Sequence, residues 1–147
     1  MSNTNSQAQF IERRGELMAE LFLQDIGANV VARPHADIGY DFVVGFPNAS
    51  GGIDFGAIEV KSTEHPVADS FPLGARWCKL LAHTNVPTLL LVADVKRNRM
   101  YYGEVWPKQL RKHRGSGTIQ VQVMEVDDAS KKRIRQHLSR TPDGTSS

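Results

Sequence analysis

Cysteine is nearly missing from this chain: Cys78 stands alone among 147 residues. That excludes an internal disulfide and any zinc cluster built on cysteines, and it implies a reducing, cytoplasmic setting. Long hydrophobic runs are missing as well. The apolar stretch at residues 88–93 falls far short of the roughly 20 residues a helix needs to cross a bilayer, so no membrane partner is expected. The first nine residues are polar and uncharged, unlike a signal peptide or a basic transit segment. Gly115-Ser116-Gly117 has no following lysine, so it is no phosphate loop, and no Gly-rich dinucleotide fingerprint is present. Ser62 and Ser116 lack the setting of a nucleophile elbow. His35, His65, His83, His113 and His137 are scattered without ligand spacing; His35 is the one expected near a site.

What is present fits one globular domain. The hydrophobic share of 40% and charged share of 23% are ordinary, and the length suffices to close a core. The domain is expected over residues 10–140, with disordered tails at 1–9 and 141–147. Charge is uneven. Residues 1–74 hold 4 Lys/Arg and 10 Asp/Glu, a net −6; residues 75–147 hold 14 and 6, a net +8. An acidic half that could bind metal is joined to a basic half that could hold a polyanion, although solvated faces would give the same count.

Periodicity predicts a helix over 10–26, with Ile11, Leu17, Met18, Leu21, Phe22 and Ile26 near helical spacing and Gly27 as its stop. Strands are predicted at 29–33, 41–46 and 53–62, the last two joined by an Asn/Ser/Gly turn at 48–52. A helix is expected over 73–83, a strand buried on both faces over 88–95, and a returning strand over 100–105. A short helix at 107–113, a strand at 118–126 and a basic helix at 129–138 complete a mixed α/β domain with helices flanking a central sheet.

The chemistry concentrates on Glu59-Val60-Lys61. Residues two apart on a strand share a face, so Glu59 and Lys61 stand together while Ile58 and Val60 turn away. Asp41 heads the preceding strand, and a hairpin through 48–52 can bring it beside Glu59. Asp37 and Asp54 compete for its place; Asp54 should point to the opposite face. Two carboxylates and an ammonium on one sheet surface suit a hard divalent cation and a phosphate. A lone Glu-X-Lys is weak, since such pairs are frequent on exposed strands.

This constellation resembles the PD-(D/E)XK nuclease superfamily, with its restriction-endonuclease-like fold. The resemblance rests on Gly15-Glu16-Leu17-Met18-Ala19, then Gly39-Tyr40-Asp41, then Glu59-Val60-Lys61. The helical opening looks like that of Holliday-junction-resolvase-like members. The later stretch, with Trp77, Leu89-Leu90-Leu91-Val92-Ala93 and Tyr101-Tyr102-Gly103, looks like a bacterial domain-of-unknown-function group, some of whose proteins accompany antiphage defence genes. The resemblance implies Asp41 and Glu59 as ligands of Mg²⁺ or Mn²⁺, joined by the Val60 carbonyl. It implies Lys61 as the group that orients water or steadies phosphoryl charge, and Glu16 as a support for the metal shell. It implies phosphodiester hydrolysis, with nucleic acid, DNA first, as partner. Relatives often dimerise, so a homodimer is a further expectation. The proline of the name motif is absent: Tyr40 precedes Asp41. The alternative reading is a non-catalytic nucleic-acid-binding or interaction module on the same scaffold.

The segment 131–137 and the cluster Lys108, Arg111, Lys112, His113 and Arg114 could each grip phosphates or be solvated faces. Arg76 and Lys79 follow Lys61 on the next helix and could approach a substrate, with simple surface roles the preferred reading. Trp77 and Trp106 read as core or rim aromatics, and Cys78 as a small buried hydrophobe.

Overall fold

The computed structural model describes residues 3–35, 39–108 and 117–139, with side chains from Ser6 onward. The elements run α1 (Asn3–Asp25), β1 (Val30–Ala32), β2 (Phe42–Pro47), β3 (Ile53–Thr63), β4 (Ser70–Gly74), α2 (Ala75–Ala82), β5 (Thr88–Asp94), β6 (Arg99–Gly103), β7 (Thr118–Gln122), β8 (Met124–Glu125) and α3 (Asp128–Leu138). Six strands form a mixed sheet in the order β1-β2-β3-β5-β6-β8, and β4 pairs with β7 in a separate ribbon. Within the large sheet β3 and β5 run parallel; the other neighbours are antiparallel.

Alternation along the strands divides the core in two. One face of the sheet presents Phe42, Val44, Ile58, Val60, Leu89 and Leu91 to Ala19 and Leu23 of α1, to Ile26 just past its end, and to Ile134 and Leu138 of α3. The other presents Leu90, Val92 and Tyr101 to Cys78 and Leu81 of α2 and to the β4–β7 ribbon. Strand β5 is buried along its whole length, as a parallel strand covered on both faces must be. The fold is thus an α/β domain with a mixed central sheet flanked by helices.

The β2–β3 turn forms where the Asn/Ser/Gly cluster lies. The Asn48 side chain accepts the backbone N–H groups of Ser50 and Gly52 at 3.1 and 2.9 Å, and Gly51 takes a φ of +85°, which suits glycine. Register follows from the turn: Phe42 opposes Ile58 and Pro47 opposes Ile53.

Several boundaries differ from the sequence expectation. Helix α1 starts at Asn3, so residues 3–9 are its opening turns rather than a disordered tail. Its buried face is Ala19 and Leu23, continued by Ile26 just past its end, while Leu17 and Leu21 are exposed. Leu73 belongs to β4, not to the following helix. The stretch 118–126 divides at Val123: β7 pairs with β4 and β8 with β6. The 107–113 helix and the 141–147 tail fall largely or wholly outside the described residues. Among the described residues no helix is long and apolar enough to cross a membrane.

Candidate active site

Strand β3 carries the site. Its Ile58 and Val60 face α1, so Glu59 and Lys61 face α2 alongside Leu90 and Val92, their partners on β5. Asp41 lies just before β2, one step beyond the Phe42–Ile58 pair, and its N–H donates to the Ile58 carbonyl at 2.8 Å. The ladder therefore sets Asp41 directly across from Glu59. Asp41 Oδ2 accepts the Val60 N–H at 2.7 Å, which fixes the carboxylate against the strand. Gly39 makes the approach possible. Its φ is +103°, and a Cβ there would meet the Leu80 and Trp77 side chains at 2.0 and 2.8 Å.

Asp41 and Glu59 are electrostatically strained together. Glu59 is only 5% exposed. Burial first, then the Asp41 charge, pushes its carboxyl from the usual 4.5 up to about 8, against the pull of Lys61. Burial also raises Asp41, offset by the Val60 N–H and by a hydrogen bond with Glu59. Two carboxyls joined by a hydrogen bond need one proton between them, and Glu59 holds it near neutrality. Lys61 Nζ stands 3.5 Å from Glu59 Oε1 and 5.6 Å from the centre of the Trp77 ring. Arg76 lies over the same ring at 5.5 Å. Trp77 thus carries two cations beside the carboxylate pair, and Arg76 remains exposed at the surface as it does so.

Glu16 reaches the neighbourhood from the other side of the sheet. Gly15 lets α1 lie tight against β3: a Cβ there would fall 1.8 Å from Ser62 Oγ. The Glu16 charge is felt at Asp41, yet its carboxylate is bound by the Arg33 guanidinium and lies 3.5 Å from Arg13 Nη1. Among the described residues no three His, Cys, Asp or Glu side chains gather closely enough to hold an ion. Asp41 and Glu59 thus face each other, while Glu16 is held by two arginines. Arg13 stands one helical turn before Glu16, whereas Arg33 comes from just past β1 and no local spacing marks it as a partner.

The other acids resolve simply. The Asn48 amide donates to Asp54 Oδ1 at 3.1 Å, which keeps that residue at the hairpin. Asp37 lies outside the described residues. A cleft of about 500 Å³ opens over the pair, lined among others by Glu12, Asp41, Glu59, Lys61, Thr63 and His65. Glu12, Thr63 and His65 were not singled out from sequence. Glu12 precedes Glu16 by one helical turn, and Thr63 follows Lys61 at strand spacing, so both were readable. His65 had no such signal; His35, the histidine expected nearby, is exposed and not part of the cleft lining.

The basic helix lies elsewhere. Arg135 of α3 stacks on Phe46 at 5.9 Å and reaches Gly27 at the far end of α1, whereas the cleft is lined by Ala8, Ile11 and Glu12. At 1.5 Å per residue these ends of α1 are roughly 20 Å apart. Lys131 is paired with Asp25 at 3.3 Å. Cys78 is fully buried, its thiol raised by burial.

Compared with protein-family models, with curated proteins and with solved structures, the chain has no match.

Proposed function

We propose that this chain is a metal-dependent nuclease of the PD-(D/E)XK kind, with a restriction-endonuclease-like fold, hydrolysing phosphodiester bonds in DNA. One observation carries the reading: Asp41 and Glu59 are held face to face, half-starved of counter-charge, with Lys61 beside them in an open cleft. The order of helix, three-stranded meander, helix and parallel strand supports the same fold.

The donor set fits a hard cation. Mg²⁺ is held by one or two carboxylates while waters and substrate phosphate complete its shell, and the pair offers that number. Asp41, Glu59 and the Val60 carbonyl would hold Mg²⁺ or Mn²⁺, with Glu16 supporting the shell through water once Arg33 yields. When bound, the cation supplies an acidified water and neutralises charge on the phosphoryl oxygens. Glu59 gives up its proton on binding, so its raised carboxyl makes binding pH-dependent. Lys61 directs its ammonium at the attacking water or the phosphate oxygens. Trp77 and Arg76 lie beside Lys61, where a polyanion would find added positive charge.

Asp41→Asn and Lys61→Ala are expected to lower Mg²⁺-dependent DNA cleavage by at least roughly a hundredfold, with circular dichroism unchanged. Wild-type cleavage by both purified variants would sink the assignment. A second reading, a non-catalytic nucleic-acid-binding module, is favoured by the Glu16–Arg33 pair, which occupies the third acid. Calorimetry separates them: DNA binding that is salt-sensitive, with no Mn²⁺ uptake, belongs to the second reading.

A further inference from the structure

Helix α1 has two apolar sides, and among the described residues only one of them is covered. Opposite its buried residues Ala19 and Leu23 stand Phe10, Leu17 and Leu21, at 78%, 43% and 68% exposure. With Gln7, Arg14 and Gln24 they recur in alternating steps of three and four residues, the spacing of a two-helix seam. Single exposed hydrophobes need no explanation, but three in register on a helix already anchored by its other face do.

We infer that this seam pairs with the same seam of a second copy, the two α1 helices antiparallel about a twofold axis between residues 15 and 16. Charge placement selects this occupant. Antiparallel pairing about that axis sets Phe10 against Leu21 of the second copy, at both ends, and Leu17 against the stem of Arg14. Leu17 of each copy meets the other near the axis. Arg13 and Glu20 lie on one flank of the seam, and a twofold axis brings each flank against itself. Arg13 of one copy therefore meets Glu20 of the other, twice. Arg14 covers apolar surface with its methylenes and turns its guanidinium to water. A parallel arrangement would set Arg14 against Arg14 within the seam and Glu20 beside Asp25 of the other copy. Because Ala8, Ile11 and Glu12 line the cleft, the pairing sets the two clefts toward opposite ends of the joined helices. The inference stands without the nuclease reading.

Sedimentation velocity on the full chain over a dilution series tests it. The wild type is expected to dimerise, and Leu21→Glu, on an exposed position that folding does not need, to weaken association roughly a hundredfold or more. Arg13→Glu and Glu20→Arg each place like charges at both junctions and are expected to weaken it roughly tenfold or more. Mixing those two variants restores opposite charges at both junctions, so the mixture is expected to form a heterodimer near wild-type strength. A wild type that stays monomeric, a dimer indifferent to Leu21→Glu, or a mixture no tighter than its parts overturns the inference.

Discussion

At the residue scale the site turns on one proton. Burial beside Asp41 raises Glu59 to about 8, so between about 4.5 and 8 the folded chain holds a proton that the unfolded chain has lost. The state that binds more protons gains as pH falls, so folding stability is greatest at the acid end of this window. It declines as pH rises, by up to about 1.4 kcal/mol per unit for one proton. Glu59→Gln keeps the shape and stays neutral. Its urea midpoint is expected to vary less between pH 5 and pH 8 than the wild type's, and to exceed it at pH 8. Equal slopes for both proteins would show that Glu59 is not the buried acid. The sequence placed Asp41, Glu59 and Lys61 together because a two-residue period and a five-residue turn fix that much. It did not show Arg33 taking Glu16, since a contact between a helix and a distant strand end leaves no local pattern.

At the element scale, closeness between α1 and β3 is set by the absence of a side chain. A Cβ on Gly15 would lie 1.8 Å from Ser62 Oγ and 2.8 Å from Ser62 Cβ, so Gly15→Ala forces the helix off the strand that carries Glu59 and Lys61. We expect a loss of about 1–3 kcal/mol by chemical denaturation, partly recovered in the double variant with Ser62→Gly. Full stability of Gly15→Ala alone would mean that the helix is free to shift. The same helix shows why element faces were misread. Leu17 and Leu21 satisfy a helical period as well as Ala19 and Leu23 do, and a sequence read for one apolar stripe blends two. Strand β4 has another reason to be hidden: the helical expectation over 73–83 absorbs Leu73 and Gly74, and the strand's partner β7 lies far along the chain.

At the scale of the whole molecule the charges of the two halves, among the described residues, do not map onto a single binding face. The acidic half does carry the cleft. The basic half splits: Arg76 sits over Trp77 beside Lys61, whereas Lys132 and Arg133 ride on α3, packed near the opposite end of α1. Composition sums charge along the chain and cannot see this division. Arg76→Ala is expected to reduce the slope of log affinity for DNA against log salt by about one, as for a lost phosphate contact. Lys132→Ala with Arg133→Ala is expected to leave that slope unchanged. The reverse result would move the DNA path to the α3 side and away from the carboxylates.

The most direct test is a crystal soaked in Mn²⁺ at a pH above that at which Glu59 loses its proton. An anomalous peak within coordination distance of both Asp41 and Glu59, lost in Asp41→Asn, is the predicted result. No peak between them, with the two carboxyls still sharing a proton and Lys61 still turned to Glu59, would contradict the account.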